Sequence, residues 1–280
     1  MLAVSGVRKT FDLKHSKKKT PGPLDPREEG SQFHALRKVD FSVPQGTILG
    51  LLGANGAGKT TLMRILGTSL KPSAGSVKLA GFDSVRDANE VRKRVGFLSG
   101  TTGLYNNLDA HELLRFCGRM YGLSGAALEA RIGALFDELE IGEFAHRRIG
   151  TLSAGMKQRV SIARSLVHSP DFIIFDEPTT GLDVPTAQIV LNHIERCRQA
   201  HKSVIFSTHH MHEVEKLCDQ VLLIHKGLVR FHGTPAQMKA QTGCMHLDDA
   251  YLSITGERSA PAKAHANVFA HAQALEVVEA

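Results

Sequence analysis

The sequence predicts an α/β fold with a parallel β-sheet core and a helical subdomain. Three observations carry that prediction. Apolar runs without alternation, such as FIIF at 172–175, suit strands covered by helices on both faces. Segments with apolar residues at three- and four-residue spacing alternate with these runs, which implies right-handed crossover units. The stretch LLGANGAGKTT at 51–61 reads as a strand end, a glycine-rich turn and a helix start suited to holding phosphates.

The elements follow in order. A first strand is expected at 2–10, ending at Phe11, and the polar, Pro/Lys/Glu-rich segment 12–32 has the composition of a mobile insertion. Alternation in LRKVDFSV (36–43) and the apolar TILGLL (47–52) predict two strands before the glycine turn, and a helix follows from Lys59 to about Leu70. GSVKLAGF (75–82) and RVGFLS (94–99) supply two more strands. From Asp109 to His168 the pattern turns helical: Leu113, Phe116, Cys117 and Met120 recur at helical spacing, as do Leu128, Ile132, Leu135 and Phe136. A helical subdomain is therefore expected within 101–168. Pro170 closes its last helix, and DFIIFDE (171–177) reads as a buried strand. A helix over 184–199, the strand SVIFST (203–208), a helix from near His210 and the strands QVLLIH (220–225) and GLVRFHG (227–233) complete a domain of residues 1–243. Residues 244–280 form a C-terminal extension whose alanine-rich end is weakly helical.

Composition excludes several classes. Hydrophobic residues at 42% and charged residues at 22% are ordinary for a globular protein. No apolar run approaches the roughly 18 residues of a membrane-spanning helix, and the first residues lack a secretion signal, so a cytoplasmic setting is expected. The four cysteines form no C-x-x-C pair, which argues against a disulfide framework or a zinc site and leaves them as small apolar fillers. The net charge of +6 owes part of its excess to one run, KHSKKK (14–19), without interleaved aromatic residues. No nucleic-acid partner is expected.

The chemistry lies at expected strand ends. Gly53, Gly58, Lys59 and Thr60 fit G-x-x-x-x-G-K-[ST], with Asn55, Gly56 and Thr61 completing the nucleotide-binding set. Glycines let successive N–H groups turn toward phosphate oxygens, Lys59 reaches the β/γ-phosphates, and Thr60 offers a hydroxyl to Mg²⁺. In FIIFDEP a strand delivers Asp176 as the Mg²⁺-side acid, and Glu177 can position or deprotonate the attacking water. His209 follows the next strand and can donate to a γ-phosphate. The tract HHMH suggests a metal site less well, since only one of its histidines is expected to face the sheet edge. In LSAGMKQR (152–159), Ser153-x-Gly155 opens a helix and forms a second anion-binding device. One site does not need two. Alone, Ser153 would read as an ordinary helix N-cap.

GANGAGKTT, LSAGMKQR, IIFDEPTTGLD and STHHMHEVEKLCD, in this order, resemble the phosphate loop, signature, metal-site strand with D-loop, and switch histidine of ATP-binding-cassette (ABC) transporter ATPase subunits. The resemblance covers roughly residues 1–233 and implies the ABC ATPase fold, with an N-terminal antiparallel β region beside the parallel core. It also implies ATP and Mg²⁺ as cofactors, with ATP sandwiched between two subunits in a homodimer or heterodimer. Phe11 would stack on adenine, Ser153 and Gly155 would touch the opposite subunit's γ-phosphate, and Asp183 would communicate across the dimer. Glu177 would act on water, and His209 would sense the γ-phosphate. One departure stands out: the family's glutamine after RVGFL falls at Gly100, and no glutamine occurs between Gln45 and Gln158. Ser99, Thr101 or Thr102 would stand in, or coupling to the membrane partner is softer.

FLSGTTGLYNNL (97–108), GMKQR and LDDAYLSITGE (247–257) are similar to ATPase subunits of bacterial sodium-extrusion and drug exporters. The resemblance thus implies a subunit on the cytoplasmic face of a bacterial membrane, docked to a separate permease through the segment after Gly100 and helix 109–121. On that helix, Leu113, Phe116 and Met120 could instead pack the subdomain. A soluble ABC-type ATPase of assembly or translation would be expected to carry two cassettes or a long coiled coil, and neither is present. A small-molecule kinase or GTPase would leave LSAGMKQR without a purpose.

Overall fold

The computed structural model describes residues 1–13, 25–99 and 103–256. Its strands are β1 (Leu2–Asp12), β2 (Glu28–Glu29), β3 (Gln32–Val43), β4 (Ile48–Leu52), β5 (Ala74–Leu79), β6 (Phe82–Asp83), β7 (Val95–Leu98), β8 (Phe172–Phe175), β9 (Ser203–Ser207), β10 (Gln220–His225) and β11 (Leu228–Gly233). Its helices are α1 (Lys59–Leu66), α2 (Ala88–Arg94), α3 (Ala110–Met120), α4 (Gly125–Glu138), α5 (Ala154–Leu166), α6 (Val184–Gln199), α7 (Met211–Leu217), α8 (Pro235–Thr242) and α9 (Leu247–Thr255).

The sheet runs β6-β5-β1-β3-β11-β10-β4-β9-β8-β7, with β2 on β3. Strands β10, β4, β9, β8 and β7 pair in parallel, while β1, β3, β5 and β6 pair antiparallel. The central strands β4, β8 and β9 are buried throughout and alternate between two cores. Ile173, Phe175, Val204 and Phe206 face the helical subdomain, where they join Leu113, Leu128 and Ile162. Phe172, Ile174 and Ile205 face the opposite side with Leu62 and Leu66 of α1. A smaller cluster joins β10 and β11 to α7, α8 and α9 through Val221, Phe231, Met211, Met238 and Leu247. Covered on both faces, the parallel strands have no need of polar alternation.

Several expectations on element bounds are corrected. Strand β1 continues to Asp12 because Phe11 and Asp12 pair with Phe33 and Gln32, so β3 opens at Gln32 rather than Leu36. Within the segment read as the mobile insertion 12–32, residues 25–32 carry a turn and β2; residues 14–24 lie outside the described residues. Helix α1 stops at Leu66, four residues short of expectation, where Gly67 leaves helical geometry and Thr68 takes a left-handed φ of 59°. Helices α2, α8 and α9 were not anticipated. For α8 the signals were in the sequence: Thr234 and Gln237 form a capping box, Pro235 opens the helix, and Gly243 ends it with a left-handed φ of 70°. The weakly helical end of the chain, from Glu257 onward, lies outside the described residues.

Candidate functional site

Gly53–Asn55, Glu177, Thr180, Thr208 and His209 line a cavity of about 580 Å³. Three neighbouring parallel strands, β4, β8 and β9, end there, which is the edge where such sheets present loops to ligands. The phosphate loop is wedged between β3 and β10. A Cβ on Gly53 would lie 2.3 Å from the Ile224 carbonyl oxygen, and one on Gly58 would lie 2.8 Å from that of Ala35. Both residues also have positive φ, 151° and 116°, so glycine is required twice over. The tight turn closes through the Ala57 N–H donating to the Ala54 carbonyl at 3.0 Å.

Lys59 is 6% exposed; its Nζ donates to the Gly53 carbonyl at 2.7 Å and lies 3.9 Å from Glu177 Oε1. Burial lowers its pKa, and the carboxylates of Glu177 and Asp176 work against that shift. The site is thus a cation held beside two acids at the mouth of a ring of backbone groups, an arrangement suited to a polyphosphate with a divalent ion.

Asp176 and Glu177 lie just past β8, not within it. A residue the sequence reading passed over positions both: the Ser207 hydroxyl donates to Asp176 Oδ1 at 2.8 Å and accepts from the Glu177 N–H at 2.9 Å. Ser207 is fully buried at the end of β9. Glu177 has a left-handed φ of 50°, which a non-glycine residue adopts only under constraint, and the Ser207 bond supplies part of it. Thr180 Oγ1 donates to Glu177 Oε2 at 3.1 Å, fixing the carboxylate from the other side. In the tract HHMH, His209 lines the cavity while His210 caps α7 and His212 lies in that helix, and no cluster of metal-ligating side chains occurs among the described residues. Asp248, Tyr251 and Leu252 of α9 complete the cavity wall, a contribution the sequence reading did not foresee.

Other expected site residues stand apart from this cavity. Thr60 and Thr61 open α1 next to Lys59. Phe11 is 40% exposed near the end of β1, with Lys9 Nζ 5.1 Å from its ring centroid. Ser153 caps α5, accepting from the Met156 N–H at 3.3 Å, and a Cβ on Gly155 would meet Thr186 at 3.2 Å. Asp183 caps α6, accepting from the Thr186 N–H at 2.8 Å, and that bonding to Thr186 lowers its pKa. Helix α5 is tied to the turn after Glu177, since Gln158 donates to the Pro178 carbonyl at 2.9 Å. Ser153, Gly155 and Asp183 do not line the chain's own cavity. Of the residues expected to replace the missing glutamine, Ser99 is buried, while Thr101 and Thr102, like Gly100 itself, lie outside the described residues. The cysteines are all free.

Comparison with known proteins gives this geometry a lineage. The family model described as ABC transporter matches residues 36–180. The ABC transporter ATP-binding protein NatA of Bacillus subtilis is 44% identical over 200 residues, covering 71% of this chain and 81% of NatA. The Nod factor export ATP-binding protein I of Cupriavidus pinatubonensis is 36% identical over 219 residues, covering 78% of this chain and 67% of that protein. A solved structure of the ATP-binding subunit of an ABC transporter superposes with a TM-score of 0.77 at 27% identity, covering 91% of this chain and 99% of its own. The chain belongs to the ABC transporter family as an ATP-binding ATPase.

Proposed function

We propose that this chain is the motor subunit of a bacterial ABC exporter, docked on a separate membrane permease at the cytoplasmic face and working in pairs that enclose ATP. One observation carries the pairing. The cavity holds Gly53–Asn55, Glu177 and His209, whereas Ser153 and Asp183 sit exposed at the helix starts of α5 and α6, outside it. A helix N-terminus with a hydroxyl and a close-packed glycine is an anion site. It acquires a ligand when a second subunit, inverted, brings its own phosphate loop to it.

Within that arrangement Phe11 stacks on adenine, and Gly53, Asn55, Gly56, Gly58, Lys59, Thr60 and Thr61 hold the phosphates. Thr60 and Asp176 would hold Mg²⁺, which would supply charge neutralisation at the phosphates. Asp176 suits that task because Ser207 occupies only its Oδ1. Glu177 orients and deprotonates water, His209 donates to the γ-phosphate, and Asp183 relays occupancy to the partner.

The permease reading is supported by an apolar groove of about 350 Å³ lined by Tyr105, Asn106, Asn107, Leu108 and Phe116. Phe116 and Met120, two residues of the α3 face, are 49% and 73% exposed, while Leu113 is buried. The face therefore divides its work between packing and presentation. Among the described residues no helix is long and apolar enough to cross a membrane, so transport requires a partner that can. The direction of transport rests on the relative named for Nod factor export.

The test is a pair of variants. Ser153→Arg is expected to abolish turnover while ATP still binds, and Glu177→Gln to bind ATP and accumulate as a dimer with turnover down by about 10²-fold or more. Normal hydrolysis by monomeric Ser153→Arg protein would overturn the shared site.

A further inference from the structure

A cation from the segment read as an insertion bonds the outside of the phosphate loop. Arg27 is 9% exposed, and its Nη1 donates to the Gly56 carbonyl at 2.5 Å. The rest of its guanidinium is engaged by Asp25, through Nε at 2.9 Å and Nη2 at 2.6 Å, while its face lies 4.7 Å from the Phe33 ring centroid. The backbone is fixed as well, since the His34 N–H donates to the Arg27 carbonyl at 2.8 Å. Phe33 is the direct partner of Phe11 in the β1–β3 ladder.

A half-buried Arg–Asp pair of this kind contributes little to stability, because screening and partial desolvation offset its attraction. Its geometry has another consequence. The Gly56 carbonyl belongs to the same peptide as the Ala57 N–H that closes the loop's turn onto Ala54. The next carbonyl, that of Ala57, accepts from the Gly227 N–H at 2.9 Å. Two successive carbonyls of the loop are thus held from behind, one by a backbone group of the β10–β11 turn and one by Arg27. With these two carbonyls engaged, the peptides after Gly56 and Ala57 are fixed in place before any phosphate arrives.

We propose that Arg27 is a positioning residue for nucleotide binding: it clamps the phosphate loop at Gly56 and, through Phe33, ties it to the strand pair that carries Phe11. Base end and phosphate end of the site are thereby held in one register. The inference rests on the nucleotide-site reading given above. Asp25 keeps the guanidinium oriented and stays ionised, its carboxyl held down to about 2 by Arg27.

The clamp acts on binding more than on the chemical step, so it separates KM from kcat. Arg27→Met is expected to raise the KM for ATP, and the dissociation constant of a fluorescent ATP analogue, by about tenfold, the loss typical of a hydrogen bond to a charged group, with kcat within about twofold. Arg27→Lys, which keeps the charge and loses the fork, should recover part of that loss. Asp25→Asn, which leaves Arg27 in place but loosens its orientation, should raise both constants by about threefold. Melting temperature is measured on each variant, and if Arg27→Met fails to fold, Asp25→Asn decides. Nucleotide affinity within twofold of the parent in the folded variants overturns the proposal. Lys59→Ala separates the two readings: if it loses nucleotide while the Arg27 variants do not, only the clamp is wrong, and if it binds normally, the nucleotide site itself is misassigned.

Discussion

At the scale of single residues, the site depends on groups that hold the reactive ones. Ser207 is the clearest case, because one hydroxyl satisfies both Asp176 and the strained Glu177 peptide. Replacing it with alanine leaves a carboxylate oxygen and a backbone N–H without that partner. Ser207→Ala is therefore expected to lower kcat by about tenfold with little change in ATP affinity, as when a supporting partner of a reacting group is removed. Steady-state kinetics alongside nucleotide titration checks this, and an unchanged kcat would assign the serine to packing alone. In the sequence Ser207 is one polar residue in the apolar strand SVIFST, with no local signal of a role. Nothing in sequence spacing shows that the end of one strand reaches the loop after its neighbour.

Among elements, the junction of the helical subdomain with the core carries a buried charge. His193 of α6, 4% exposed, lies with Nδ1 3.1 Å from Glu138 Oε2 at the end of α4 and with Nε2 3.4 Å from Cys197 Sγ. Burial works against its protonation, but Cys197 and Glu138 overcome it and push its pKa up to about 9. Arg131 and Lys202 also face this cluster, and burial lowers both. The folded pKa exceeds the unfolded value of about 6.5, so the stabilisation is complete below that pH and is lost as pH rises through about 9. His193→Gln is accordingly expected to cost on the order of 2 kcal/mol near pH 6. The gap from the parent should narrow toward pH 9.5. Thermal melts of both proteins across that range provide the measurement, and a gap independent of pH would remove the ion pair from the account. On α3, Phe116→Asp is expected to leave ATPase activity of the isolated subunit within about twofold while abolishing co-purification with the proposed permease partner, since exposed apolar anchors contribute to interfaces rather than to the fold. Retained co-purification would place the docking surface elsewhere.

For the whole molecule, the proposed pairing means that one chain would hold half of two sites. The strand ends β4, β8 and β9 gather the loop, the acids and His209 into one cavity, while α5 and α6 present their N-termini outside it. The loop itself is gripped by β3, the β10–β11 turn and the segment before β2, so the antiparallel region is part of the machinery that shapes the phosphate cradle. Helix α9 adds Asp248, Tyr251 and Leu252 to the cavity wall, extending the site into the segment taken as a C-terminal extension.

Much of this was legible in order along the chain. The glycine spacing, the apolar runs of the central strands and the cap Ser153 are local signals, each set by the conformational demands of a few neighbouring residues. They determined the parallel core, the glycine turn before α1 and the place of Asp176, Glu177 and His209 just past strand ends. Tertiary structure alone decided which supports meet them. Ser207 reaches Asp176, Arg27 reaches Gly56 and α9 reaches the cavity across long sequence separations, through contacts that depend on strand register and strand order. Local propensity carries no record of such meetings, because a hydroxyl or a guanidinium has the same preferences wherever the folded chain happens to bring it.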